Sequence, residues 1–302
     1  MASIRDRIKG SITALITPFK DGKVDEAAFR KLVNWQIAEG TQGLVPCGTT
    51  GEAATMTETE RERVIEIVIE QADGRVPVIA GTGANDTRRT IEATRHAHAA
   101  GADAALVVVP YYNKPPQAGL LAHYAAIAGA TDLPIILYNV PGRTGINMTA
   151  ETTLQLATIP TVAGIKEASG SLDQVSEIIS GAPEGFAVLS GDDSLTLPMM
   201  SLGARGVISV VSNIVPAAMS RLANDCLRGD YRQARELHHE LFDLMRAMFI
   251  DNNPTAVKTA ASILGLCSGE LRLPLTPMSA GQRDRVAGAL ERCAYTRTPV
   301  AA

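Results

Sequence analysis

Ala100-Gly101-Ala102-Asp103-Ala104-Ala105-Leu106-Val107-Val108-Val109 leads from the end of one helical segment into a continuous apolar run. A glycine at such a junction supplies the left-handed cap that turns a chain back after a helix. The run that follows is apolar at every position, not at alternate ones. Unbroken apolarity is what a parallel strand needs when both of its faces are covered. The same junction recurs in Glu39-Gly40-Thr41-Gln42-Gly43-Leu44 and in Leu202-Gly203-Ala204-Arg205-Gly206-Val207. This is an internal repeat with a physical cause.

Working outward, apolar runs of this kind occupy 12–16, 44–47, 76–80, 104–109, 134–138, 162–165, 186–189 and 206–210. Amphipathic segments separate them. Residues 25–39 carry Phe29, Leu32, Val33 and Ile37 at helical spacing. Thr57-Glu58-Thr59-Glu60 and Ser171-Leu172-Asp173-Gln174 have the form of capping boxes. Alternating strand and helix units of this number point to a (β/α)8 TIM barrel of the α/β class. An open doubly wound sheet is the runner-up, but it usually shows a glycine-rich loop after its first strand. Here that strand ends Ile16-Thr17-Pro18-Phe19. Helices are expected at 216–228, 231–248, 255–264 and 278–292. The first completes the barrel, so the expected division is a barrel over 1–228 and a C-terminal helical extension over 229–302, packed on it.

The bulk composition narrows the function. The chain has 302 residues, 46% hydrophobic and 20% charged, with a net charge of −4. An acidic balance without a run of Lys or Arg argues against nucleic acid or an anionic membrane as partner. The first residues lack the apolar core of a signal peptide, and no apolar stretch is long enough to span a bilayer. Cys47, Cys226, Cys267 and Cys293 are widely spaced and form no metal or redox pattern. A cytoplasmic protein is expected.

In such a barrel the chemistry lies at the C-terminal ends of the strands. The residues falling there are Gly48-Thr49-Thr50-Gly51-Glu52, Tyr111-Tyr112-Asn113, Tyr138-Asn139-Val140-Pro141-Gly142-Arg143, Lys166, Ser190-Gly191-Asp192-Asp193 and Ile208-Ser209. Hydroxyls, phenols, one arginine and one lysine meet on one rim. No converging set of His, Cys and Glu joins them, so no metal is implied. Lys166, in Thr161-Val162-Ala163-Gly164-Ile165-Lys166-Glu167, closes a short apolar run. It either begins a solvated loop, as most lysines do, or is a carbonyl-attacking lysine at a strand end. The five histidines show no catalytic grouping: His96 and His98 do not share a helix face, and His238 and His239 diverge.

Taken in order and spacing, these motifs resemble the pyruvate-dependent class I aldolase (N-acetylneuraminate lyase) family, and within it the dihydrodipicolinate synthase branch. The resemblance runs from Ser11 to the helical tail. It implies that Lys166 forms an imine with the ketone of pyruvate and that Tyr138 is the general acid/base beside it. Thr49 and Tyr112 would complete a hydroxyl relay to solvent, with Tyr112 supplied by a neighbouring subunit. Thr50 would hold the pyruvate carboxylate, Gly191 and Ile208 would line the pocket, and Arg143 would receive the carboxylate of L-aspartate 4-semialdehyde. No cofactor is implied. The implied assembly is a homotetramer built as a dimer of dimers, and the shared Tyr112 requires at least a dimer.

Two rival readings compete with this one. Sugar-acid lyases of the same family typically carry serine for the first threonine of Gly-Thr-Thr-Gly and lack an arginine at the Arg143 position. A ligand-binding or regulatory barrel would need no proton relay. One departure from the family pattern concerns regulation. Members inhibited by lysine bind it between subunits, and Asn85 and Tyr111 match residues lining that cavity. Arg89, however, stands where those members have a glutamate, and Glu58 and Arg61 replace histidines. A cation at Arg89 would repel the ligand's ammonium groups. Weak or absent inhibition by lysine is expected.

Overall fold

A computed structural model describes residues 4–297. Eight parallel strands, β1 (Gly10–Ala14), β2 (Gly43–Val45), β3 (Ile79–Gly81), β4 (Ala104–Val108), β5 (Ile135–Asn139), β6 (Val162–Glu167), β7 (Ala187–Ser190) and β8 (Gly206–Ser209), form one sheet. Their order is β2-β1-β8-β7-β6-β5-β4-β3. The two ends meet through a parallel bridge between Leu44 and Val78, with Leu44 N donating to Pro77 O at 3.0 Å and Gly81 N to Pro46 O at 2.9 Å. The sheet is thereby rolled into the expected (β/α)8 barrel.

Helices α1 (Glu26–Ala38), α2 (Glu58–Ala72), α3 (Thr87–Ala100), α4 (Gln117–Ala128), α5 (Ala150–Ala157), α6 (Leu172–Gly181), α7 (Thr196–Ser201) and α8 (Pro216–Leu227) alternate with the strands. The repeated junction works as its glycines require: Gly40, Gly101 and Gly203 all have φ near or above +90° (87°, 98° and 112°), a region that costs a side-chain-bearing residue. Two apolar layers result. The larger lies between strands and helices, and a smaller one fills the barrel with Ile12, Val45, Ile79, Leu106, Ile136, Leu189 and Ile208. Ile8, fully buried, belongs to the inner layer, with Ile4 packed against it. Burial on both faces explains the unbroken apolar runs.

The strand bounds shift slightly. The third strand, expected at 76–80, begins only at Ile79. Pro77 has no N–H for a ladder and contributes only its carbonyl. Thr57 and Glu60 form the full capping box, whereas Ser171 caps α6 alone, because the Gln174 side chain bonds Glu167 and Met148 instead. A two-stranded hairpin, Phe19–Lys20 with Lys23–Val24, was not foreseen.

Beyond α8 come α9 (Tyr231–Ala247), α10 (Thr255–Ile263) and α11 (Ala280–Arg292). Their buried residues, among them Leu241, Leu244, Val257 and Val286, join the same outer core as the barrel helices. Residues 1–3 of the expected barrel and 298–302 of the expected extension lie outside the described residues. Among the described residues no helix is long and apolar enough to cross a membrane.

Candidate active site

β5 and β6 run side by side with Tyr138 opposite Lys166 and Asn139 opposite Glu167. Successive strand residues point to opposite faces, so each strand sends one of its pair into the barrel and one outward. Lys166, only 5% exposed, turns inward and holds its Nζ 4.4 Å from the centroid of the Tyr138 ring. The lysine is therefore no solvated loop residue.

Asn139 and Glu167 face the other way and fix the ends of both strands. Asn139 Nδ2 donates to Glu167 Oε2 at 3.0 Å, Gln174 Nε2 donates to the same oxygen at 3.0 Å, and Ser169 N donates to Oε1 at 2.6 Å. Asn139 Oδ1 accepts from Met148 N at 3.0 Å. A buried carboxylate bonded this fully is held in one place. It anchors the backbone from which Lys166 projects.

Gly191 follows β7, and its N–H donates to Glu167 O at 2.8 Å. A Cβ built there would stand 2.5 Å from Ala168 Cβ and 3.2 Å from Lys166 Cε. The absent side chain is what leaves room for the lysine stem. Ile208, fully buried, belongs to the inner layer of the barrel. Burial pushes the neighbouring Asp192 carboxyl up, the Lys166 charge draws it partway back, and Glu167 adds to the rise. Asp193, also raised by burial, accepts from Val210 N at 3.1 Å and Val211 N at 2.8 Å, tying β7 to the loop after β8.

The loop after β2 is held from outside the barrel. Thr50, 2% exposed, accepts at Oγ1 a hydrogen bond from Asn253 Nδ2 at 3.0 Å. Gly51 O accepts from Thr17 Oγ1 at 2.8 Å. Glu52 lies in the left-handed region at φ 56° and meets Lys258 Nζ at 2.6 Å, both side chains being cut off from water. Glu52 Oε2 also accepts from Arg272 N at 3.2 Å. Lys258 Nζ and the Arg272 guanidinium flank the Phe19 ring at 4.2 and 4.3 Å. Burial draws the Lys258 ammonium toward losing its proton, and facing Glu52 opposes that.

The rest of the expected set lies at the rim. Thr49 is half-buried on the same loop as Thr50. Arg143 is exposed on the helical turn Pro141–Thr144, which continues directly from β5. Tyr112 is 89% exposed with φ 73°, on a loop pinned by Asn113 Nδ2 donating to Asn85 O at 2.8 Å. Among the described residues no hydrogen bond joins Thr49, Tyr112 and Tyr138, and the Tyr112 side chain lies in solvent.

Sequence reading missed Asn253, Lys258 and the partner role of Glu52, because it treated residues beyond 228 as packing only. A signal was present. Thr255-Ala256-Val257-Lys258-Thr259-Ala260-Ala261 sets one lysine in an otherwise small and apolar helix, and a lone buried cation requires a buried anion.

A barrel whose sixth strand delivers a buried lysine against a tyrosine defines the class of lysine-bearing barrel lyases. A family model described as the Dihydrodipicolinate synthetase family matches residues 7–293. The chain belongs to that family. It is 53% identical to the 4-hydroxy-tetrahydrodipicolinate synthase of Thermomicrobium roseum over 294 residues, which is 97% of each chain. It is 55% identical to the same-named protein of Pelobacter propionicus over 91% of this chain and 95% of the other. Among solved structures, the dihydrodipicolinate synthase from Aquifex aeolicus superposes with a TM-score of 0.94 at 48% identity, covering 96% of this chain and 99% of that one.

Proposed function

We propose that the chain condenses pyruvate with L-aspartate 4-semialdehyde to give 4-hydroxy-tetrahydrodipicolinate through an imine on Lys166. Family membership supports the reaction. The observation that carries the residue assignment is the Lys166 Nζ held 4.4 Å over the Tyr138 ring inside the barrel mouth. The amine adds to the ketone and water leaves, with Tyr138 placed to move the protons. The protonated imine withdraws electrons, so the pyruvate methyl loses a proton and an enamine forms. That enamine attacks the aldehyde carbon, and a carbon–carbon bond forms as the carbonyl oxygen takes up a proton. The amine of the adduct then attacks the imine carbon, closes the ring and releases Lys166.

Thr50, buried on the loop after β2, is assigned the pyruvate carboxylate. Arg143 is assigned the carboxylate of the semialdehyde, a planar two-pronged contact that lysine would make poorly. Gly191 and Ile208 bound the pocket. Thr49 and a partner subunit's Tyr112 complete the relay, so the working unit is at least a dimer, within a homotetramer. We place the enzyme in the cytoplasm, where free Cys47, Cys226, Cys267 and Cys293 are stable. Arg89, at the start of α3, should leave inhibition by lysine weak or absent. Strong inhibition at micromolar lysine would overturn that assignment.

The deciding measurement is pyruvate consumption with L-aspartate 4-semialdehyde beside N-acetylmannosamine. Turnover with the semialdehyde alone is expected, and turnover with the sugar alone would overturn the reading. Borohydride should trap pyruvate on Lys166, visible by peptide mass, and Lys166→Ala should abolish both trapping and turnover.

A further inference from the structure

We propose that Asn253, between α9 and α10, is a positioning residue for the keto-acid site: it orients the Thr50 hydroxyl so that its proton is given to the substrate carboxylate. The inference rests on the reading of Lys166 and Thr50 given above. The C-terminal extension then forms part of the active site and is more than a packing layer.

A threonine hydroxyl has one proton to give and two lone pairs to accept with. Asn253 Nδ2 donates to Thr50 Oγ1 at 3.0 Å, where both residues are buried, at 8% and 2% exposure. That bond occupies a lone pair and leaves the Thr50 proton uncommitted. No other side-chain bond of Thr50 competes among the described residues, so the proton is available to an incoming anion. Asn253 cannot turn aside easily. Its chain neighbour Asn252 O accepts from Thr255 N at 2.7 Å, and Lys258, one helical turn into α10, is locked to Glu52 at 2.6 Å. Asn253 and Lys258 therefore grip Thr50 and Glu52, two residues apart on one loop, from one helix start.

Asn253 Oδ1 adds a second observation. It is cut off from water and has no hydrogen-bond partner among the described residues. A buried amide oxygen left unpaired is costly, and the same amide turned over would place that oxygen against Thr50 Oγ1. In that orientation the threonine would donate to Asn253 and have no proton for a carboxylate. The structure sets Nδ2, and not Oδ1, against Thr50, which leaves the Asn253 oxygen unsatisfied and the Thr50 proton free.

Asn253→Asp separates positioning from packing. Aspartate has nearly the same shape but only accepts, so it should capture the Thr50 proton and place a negative charge beside the substrate carboxylate. The expected result is a rise in the pyruvate KM of about tenfold or more, with the KM for the semialdehyde nearly unchanged and the thermal midpoint lowered by the buried charge. Asn253→Ser should raise the pyruvate KM less, and it carries the comparison alone if the aspartate variant does not fold. In the Thr50→Ala background Asn253→Ser, which adds no charge, should not change the pyruvate KM further. A pyruvate KM within about twofold of the unmodified enzyme in a folded variant, with pyruvate still trapped on Lys166, would overturn the role of Asn253. No trapping on Lys166 in the unmodified enzyme would overturn the reading of the site beneath it.

Discussion

Gly191 shows how tightly the space around Lys166 is drawn. Its backbone is not in the left-handed region, so an added methyl meets only steric cost, and the nearest obstacles are Ala168 Cβ, Glu167 O and the Lys166 stem. Gly191→Ala should cost about 1–3 kcal/mol of stability, as overpacked sites do. Trapping of pyruvate on Lys166 should fall far more than that cost explains, because the lysine must move to make room. Borohydride labelling at equal folded fraction checks it, and unchanged labelling would remove Gly191 from the pocket. His123 makes a separate statement about pH. Its Nδ1 lies 2.9 Å from Thr87 Oγ1, and its Nε2 is buried without a partner among the described residues. Burial pushes the imidazole down to about 4, and the Asp86 charge only partly opposes this. A folded value below the unfolded one, near 6.5, means that the stabilising contribution is complete above 6.5. It is lost as pH falls toward 4, a change on the order of 3 kcal/mol. Urea unfolding of His123→Gln should show a flatter pH dependence across that window, and an unchanged slope would assign the loss to other groups.

Between elements, the decisive contact is the Glu52–Lys258 pair that ties the loop after β2 to α10. Removing one partner strands the other charge away from water, which typically costs about 3–5 kcal/mol. Lys258→Met should lose about that much in urea unfolding, and adding Glu52→Gln should recover part of it. Additive losses would show that the two side chains do not act as a pair. This contact also marks where legibility ended. Strand and helix order could be read, since doubly covered strands leave unbroken apolar runs and several helix ends leave a glycine such as Gly101. The rim residues followed, because a barrel puts its chemistry at the ends of its strands. Strand edges were harder: Pro77 belongs to an apolar run but has no N–H to pair. Harder still was Asn253, whose meaning lies in a bond to Thr50 across 203 positions of chain. No local pattern encodes a contact of that span.

For the whole molecule, the single chain holds Lys166 and Tyr138 together but leaves Tyr112 89% exposed. An aromatic residue held at φ 73° on a pinned loop is a costly thing to leave in water. The proposed relay shared between subunits would account for both the exposure and the fixed backbone. The consequence can be tested by mixing defective chains. Lys166→Ala lacks the imine-forming amine, and Tyr112→Phe lacks the shared hydroxyl, so each homo-oligomer should be inactive or nearly so. In a mixed two-fold pair, the site built on the Tyr112→Phe chain keeps its own Lys166 and receives Tyr112 from the partner subunit. That site is whole, while the other lacks both groups. Random pairing at equal amounts makes half of the pairs mixed, each with one whole site, so activity should return to about a quarter of the unmodified level. The pairs must be formed by joint refolding or co-expression, and the recovered rate should track the mixed fraction as the ratio is varied. No recovery, with mixed pairs demonstrated by mass, would mean that Tyr112 serves its own barrel and that the loop must fold inward to reach Tyr138.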